Sequence, residues 1–132
     1  MKSESSGRSE KPLILITDDN QVSLRLIEGV LSDSGYSVVT ADSGENALLK
    51  VNEAKPDLIL LDVMMPEMNG YEVCSRLQEN VETAYIPVVF FTALGDEQNK
   101  AKAFSVGGAD YLVKPIKRDT LLKAVAASKG KR

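Results

Sequence analysis

The sequence predicts an α/β fold in which a five-stranded parallel sheet carries helices on both faces. Three observations point there. Apolar runs such as Leu58-Ile-Leu-Leu61 and Ile86-Pro-Val-Val-Phe-Phe91 are too short for helices and lack a polar alternate face, so they read as strands buried on both sides. Between these runs lie segments whose apolar residues recur at helical spacing. The links are short, and strict alternation of strand and helix with short links gives a parallel sheet with right-handed crossovers.

Leu13-Ile-Leu-Ile16 with Thr17 is the first strand, and it delivers Asp18-Asp19-Asn20 to its C-terminal end. Val22, Leu26, Ile27, Val30 and Leu31 mark the inward face of the first helix, which Ser34-Gly35 closes. Ser37 to Ala41 forms the second strand. Ser43 caps a helix with Ala47, Leu48, Val51 and Ala54 inward, and Pro56 ends it. The third strand, Leu58 to Leu61, runs into Asp62 and then into the punctuation of Pro66, Asn69 and Gly70. Val73, Cys74 and Leu77 mark the third helix.

The fourth strand spans Ile86 to Phe91 with Thr92, its proline tolerated near the start. A fourth helix from about Asp96 to Val106 has a thin apolar face of Ala101, Phe104 and Ala103, and Gly107-Gly108 ends it. Asp110 to Val113 is the fifth strand and leads into Lys114-Pro115. Asp119 or Thr120 opens the last helix, with Leu121, Leu122, Val125 and Ala126 inward. Five such units suit the strand order 2-1-3-4-5 of flavodoxin-like (βα)5 folds.

Composition narrows the chemistry. A chain of 132 residues, 43% hydrophobic and 27% charged, fits one soluble domain, and no apolar run approaches the roughly 20 residues of a membrane span. Residues 1–10 lack the apolar segment of a secretory signal and read as a disordered tail. The domain is expected over residues 11–128, in the cytoplasm, with Lys129-Gly-Lys-Arg132 as a basic tail or the start of a linker. The single cysteine excludes an internal disulfide, and Cys74 reads as a small core residue. There is no histidine, so catalytic triads and histidine metal sites are excluded. A formal net charge of -3 argues against direct binding to nucleic acid or an anionic membrane. Gly107-Gly108 follows a helix instead of joining a strand to one, so it is not a phosphate loop.

Four of the strands end in polar groups at one edge of the sheet: Asp18 and Asp19, Asp62, Thr92, and Lys114. Singly, each has an ordinary explanation as a helix cap, a turn residue or a solvated charge. Their convergence does not. In open α/β sheets, ligands bind at the carboxyl ends of the strands, and strands one, three, four and five are neighbours in the expected order. Two unit charges about 4 Å apart interact by roughly 4 kcal/mol at an effective dielectric of about 20, so clustered carboxylates need a cation or a proton. Carboxylates with no histidine or cysteine beside them favour Mg2+ or Mn2+ over zinc. A carboxylate beside such an ion, an ammonium and a hydroxyl is arranged for phosphoryl transfer, with Asp62 as nucleophile.

With these residues assembled, the chain resembles a response-regulator receiver domain, the phospho-acceptor module of two-component signalling. The resemblance rests on Ile16-Thr-Asp18-Asp19-Asn20, Asp62-Val-Met-Met-Pro66-Glu-Met-Asn-Gly70, Phe91-Thr92-Ala93 and Gly108-Ala-Asp-Tyr111-Leu-Val-Lys114-Pro115. It implies that Asp62 is phosphorylated and that Asp19, Asp62 and the main-chain carbonyl of Met64 coordinate Mg2+, with Asp18 acting mainly through water. It further implies that Thr92 and Lys114 hold phosphoryl oxygens and that Tyr111 is an aromatic switch turning inward as Thr92 moves. The Lys114-Pro115 bond is a candidate cis peptide. Ile116 stands where many receivers have Phe.

The implied partners are a histidine kinase or histidine phosphotransfer protein as phosphodonor and an output partner or effector domain. The implied output surface is the fourth helix, fifth strand and fifth helix, which also allows a phosphorylation-dependent homodimer. Met64 and Leu94, each two residues beyond a site residue, are expected to tune hydrolysis of the acyl phosphate, and being apolar they predict slow self-dephosphorylation. Two other functions compete. A phosphohydrolase of the haloacid-dehalogenase type resembles this site but places a second Asp two residues after the nucleophile, where this chain has Met64. A receiver-like binding module that takes no phosphate would not need the intact acidic set.

Overall fold

The computed structural model describes residues 11–128; the expected tail at 1–10 and the basic segment at 129–132 lie outside the described residues. The elements alternate as β1 (Leu13–Thr17), α1 (Gln21–Asp33), β2 (Ser37–Ala41), α2 (Gly44–Ala54), β3 (Leu58–Leu61), α3 (Gly70–Glu79), β4 (Val88–Thr92), α4 (Glu97–Ser105), β5 (Asp110–Val113) and α5 (Arg118–Ser128). All pairings are parallel. The sheet order is β2-β1-β3-β4-β5, which is the expected 2-1-3-4-5.

The two-residue period of a strand sorts the core into two layers. Ile14, Ile16, Leu58, Leu60, Val89 and Phe91 pack with Leu24, Ile27, Leu31, Leu121, Ala124 and Val125 on the α1 and α5 side. Leu15, Ile59, Leu61, Val88 and Phe90 pack with Ala47, Val51, Val73, Cys74, Leu77 and Ala103 on the α2, α3 and α4 side. Every residue of β3 is fully buried, as its uninterrupted apolar run requires. The outer strand β2 is only half-buried along most of its length.

Several helical faces are rotated from their sequence expectation. Leu24 is buried while Val22 and Leu26 are exposed; α1 is richer in apolar residues than its buried stripe can use, so spacing alone does not choose among them. On α5, Ala124 is buried and Ala126 exposed, and the helix begins at Arg118, just before the expected cap. On α4, Ala101 and Phe104 lie outside and Ala103 alone is buried. β4 begins at Val88 rather than Ile86, because Ile86 donates its N–H to the Thr83 carbonyl in the preceding turn and Pro87 has none to give. Cys74 is a buried core residue whose thiol contacts the Val106 carbonyl, and burial pushes its pKa up to about 12.

Capping defines the helix starts. Asn20, Ser43, Asn69 and Asp96 each accept a backbone N–H three residues on. The cap of α1 is thus Asn20, which leaves Asp18 and Asp19 available for other work.

Candidate functional site

Sheet register brings the strand ends level. Thr17 pairs with Leu61, and Thr92 with Val113, so the next residues on β1 and β3, Asp18 and Asp62, stand side by side. The Asp62 N–H donates to the Thr17 carbonyl at 2.9 Å, and the Lys114 N–H to the Thr92 carbonyl at 2.7 Å. From the far edge, the Lys114 side chain reaches back across β4, its Nζ 5.1 Å from the centre of the Phe91 ring. It ends 2.7 Å from Asp18 Oδ2 and 3.4 Å from Asp62 Oδ2.

The loop after β3 folds tightly against Asp62. Asp62 Oδ1 accepts the Met64 N–H at 3.2 Å, and Glu67 takes a left-handed conformation at φ 70° in a tight turn where the Met68 N–H reaches the Pro66 carbonyl. Gly70 closes the loop by donating its N–H to the Val63 carbonyl at 2.9 Å. A Cβ at Gly70 would lie 2.3 Å from the Asp62 carbonyl oxygen, so only glycine lets α3 start this close to the site. Asn69 and Glu72 then exchange capping bonds.

Asp18, Asp19 and Asp62 each present an oxygen within 4.8 Å of the others. Asp18 and Asp62 are buried and Asp19 is exposed. Burial first, and then the neighbouring Asp18 charge, push the Asp62 carboxyl up to about 6, although Lys114 pulls the other way. Burial lowers the Lys114 ammonium's pKa, but its hydrogen bond to Asp18 and the charges of both aspartates outweigh that, so its net shift is upward. One ammonium therefore does not balance the carboxylates. An all-oxygen set short of positive charge and open at Asp19 fits a hard divalent cation.

Thr92 belongs to the other face of the sheet. Asp18, Asp62 and Lys114 continue the α1 and α5 register, whereas Thr92 continues that of Val88 and Phe90, facing α4. Thr92 is fully buried and its Oγ1 accepts the Leu94 N–H at 3.3 Å. The Leu94 carbonyl in turn accepts the Tyr111 hydroxyl, and Tyr111 is turned inward and buried. The Met64 side chain is exposed, while Leu94 packs partly into the α4-side core. The Lys114–Pro115 peptide is cis. The structure thus gathers Asp18, Asp19, Asp62 and Lys114 into one cluster, with Thr92 beside it on the adjoining strand.

Two parts of this arrangement escaped sequence reasoning. Gly70 reads as a turn residue, and nothing local in the sequence reveals that Asp62 lies against it. Tyr71 and Asn99, which meet across α3 and α4, are far apart in the chain, and the only local signal was Asn99 standing three residues after the Asp96 cap.

Comparisons with known proteins agree with the geometry. The family model described as "Response regulator receiver domain" matches residues 14–126. The "Probable transcriptional regulator ycf27" of Pyropia yezoensis is 39% identical over 108 residues, covering 82% of this chain and 43% of that protein. The chain spans less than half the length of such curated relatives. Among solved structures, a putative response regulator from Chloroflexus aurantiacus is 34% identical with a TM-score of 0.89, covering 92% of this chain and 100% of that one. The receiver domain of sensor histidine kinase PA1611 from Pseudomonas aeruginosa is 27% identical with a TM-score of 0.84, covering 92% and 99%, and is described with a magnesium ion coordinated in its active site cleft. Fold, site and relatives coincide: the chain belongs to the response regulator receiver domains of two-component signalling, a family in which Mg2+ and phosphorylation of an aspartate are general features.

Proposed function

We propose that Asp62 is the phosphoryl acceptor of this receiver domain and that its modification is read on the surface of α4, β5 and α5. The observation that carries this is the convergence of Asp18, Asp19 and Lys114 on one buried carboxylate at the end of the central strand. An Asp62 oxygen attacks the phosphorus of a phosphohistidine or small phosphodonor. The bond to the donor breaks, and the leaving group departs with its electron pair. Lys114, already 3.4 Å from Asp62 Oδ2, stabilises charge on the transferred oxygens, and the Thr92 hydroxyl, whose oxygen accepts the Leu94 N–H, donates its own proton to one of them.

Asp19, Asp62 and the Met64 main-chain carbonyl would hold Mg2+, with Mn2+ a substitute and Asp18 acting mainly through water. That ion, when bound, supplies the positive charge that one lysine does not and offsets repulsion between the carboxylates and the incoming phosphoryl group. As in receivers generally, no external substrate is turned over. These 132 residues contain no histidine, so a donor histidine belongs to a kinase or phosphotransfer module outside them, or a small phosphodonor replaces it, and the output lies in a separate partner, an attached effector domain or a second copy docked through α4, β5 and α5. Among the described residues, no helix is long and apolar enough to cross a membrane.

Acetyl phosphate with Mg2+ should add one phosphoryl group to the protein by intact mass. Asp62→Asn should add none, and chelation by EDTA should suppress the gain in the native chain. Equal gain in Asp62→Asn would refute the assignment. Apolar side chains orient water poorly, which supports slow self-dephosphorylation at Met64 and Leu94. Met64→Asn or Leu94→Glu should hasten decay of the phosphorylated protein severalfold, and unchanged decay in both would remove these residues from that role.

A further inference from the structure

Thr92, Leu94 and Tyr111 are joined by hydrogen bonds through the Leu94 main chain. Tyr111 shares the α4-side core with Tyr71, whose ring packs on Phe90, the residue paired with Tyr111 across the sheet. Tyr71 donates to Asn99, 2.7 Å from its side-chain Oδ1 and 3.0 Å from its carbonyl. Asn99 lies in the first turn of α4, and its Nδ2 donates to the Asp96 cap at 2.7 Å while its N–H donates to the same carboxylate at 3.3 Å. Tyr71 is also the second residue of α3, directly after Gly70, which is pressed on the Asp62 carbonyl. Its ring packs on Phe90 at 5.5 Å between centroids and lies under Lys102 of α4 at 5.2 Å. The one side chain thus joins the start of the acceptor-side helix, the core that holds the switch tyrosine and the first turn of the output helix.

We infer that Tyr71 is a positioning residue for the switch, its hydroxyl carrying the state of Thr92 and Tyr111 to the first turn of α4 through Asn99. The inference rests on Asp62 being the acceptor and α4 part of the output surface. Two features of the molecule make the hydroxyl matter. α4 buries only Ala103, so apolar packing does little to fix it. The Tyr71 hydroxyl is bonded to Asn99 while its ring packs on Phe90 beside Tyr111, so a shift of Tyr111 passed through this close-packed core moves the group that ties down α4.

The test follows backbone amide NMR signals of the full chain before and after acetyl phosphate and Mg2+, in the native protein and in Tyr71→Phe. This change removes one oxygen and keeps the ring on Phe90. In the native protein, signals should move at residue 62, at Thr92 and Leu94, and through residues 97–105. In Tyr71→Phe, the first two groups should still move, while the response of residues 97–105 falls to less than half. Amide exchange in α4 of the unmodified variant should also rise on the order of fivefold, the worth of one hydrogen bond, with exchange in β1 and β3 unchanged. Asn99→Ala, which leaves the second acceptor in place, should give the same pattern more weakly.

A full α4 response in Tyr71→Phe would overturn the inference, as would a native α4 that never responds although Asp62 is modified. A native protein that takes no phosphoryl group refutes the proposed function instead. Should Tyr71→Phe unfold, Asn99→Ala decides alone, and its full α4 response would overturn the inference.

Discussion

Helices α3 and α4 lie on the same face of the sheet and are held in opposite ways. α3 buries Tyr71, Val73, Cys74 and Leu77, is locked at its start by the Asn69 and Glu72 capping bonds, and begins at Gly70 against the Asp62 carbonyl. α4 buries Ala103 alone, leaves Phe104 exposed, and is attached at its start through the Asp96 cap and the Tyr71 bond to Asn99. Burying a large apolar side chain is worth about 1.5–3 kcal/mol, whereas a typical hydrogen bond nets about 1 kcal/mol. The helix beside Asp62 is therefore fixed, and α4 is held by bonds that can be exchanged. On the proposed function, rigid support for chemistry and weak attachment for signalling would sit in neighbouring elements.

The contrast can be broken most severely at Gly70. Gly70→Ala forces a methyl against the Asp62 main chain and should cost about 3 kcal/mol or more of stability in denaturant titration. Phe104→Ala on α4 should cost about 0.5 kcal/mol or less. Similar losses for the two would erase the distinction between the helices.

Asp62 gives a smaller effect with a defined sign. Its folded pKa, about 6, is raised above the usual carboxyl value by burial and by Asp18, so the protonated form is favoured on folding. The stability this contributes is present in full below about pH 4 and is lost as pH rises through 6. Without metal, Asp62→Asn should therefore be more stable than the native protein at pH 7 by about 1–2 kcal/mol, a figure reduced for solvent at the mouth of the site, and no more stable near pH 4. Thermal melts at the two pH values would show it, and a variant less stable at pH 7 would contradict it. The smallest effect is that of Mg2+ on the unmodified chain: it should raise the melting temperature of the native protein at pH 7 and leave Asp62→Asn nearly unmoved.

The sheet and the acidic cluster were legible in the sequence because both depend on short-range pattern. Four apolar residues ending in Asp62, and Ile16-Thr17 ending in Asp18, say where a buried strand stops and what it carries. Strand order then follows from alternation, and adjacency of Asp18, Asp62 and Lys114 from strand order. Helix rotation was harder to read, since α1 offers Val22, Leu24, Leu26 and Ile27 in one turn and a half, and only the curvature and neighbours of the sheet decide that Leu24 and Ile27 go inside. The same is true of α4, where Phe104 looks like an anchor but is exposed and Ala103 is the residue buried. The contact of Tyr71 with Asn99 depends on how two helices lean together, which no local pattern encodes.

The central claim is that one carboxylate among three takes the phosphoryl group. Borohydride reduces an acyl phosphate to an alcohol, so treating the phosphorylated protein, digesting it and sequencing the peptides by mass spectrometry marks the acceptor directly. Asp62 should be the residue converted, with Asp18 and Asp19 unchanged; conversion at either of those, with Asp62 intact, would contradict the account.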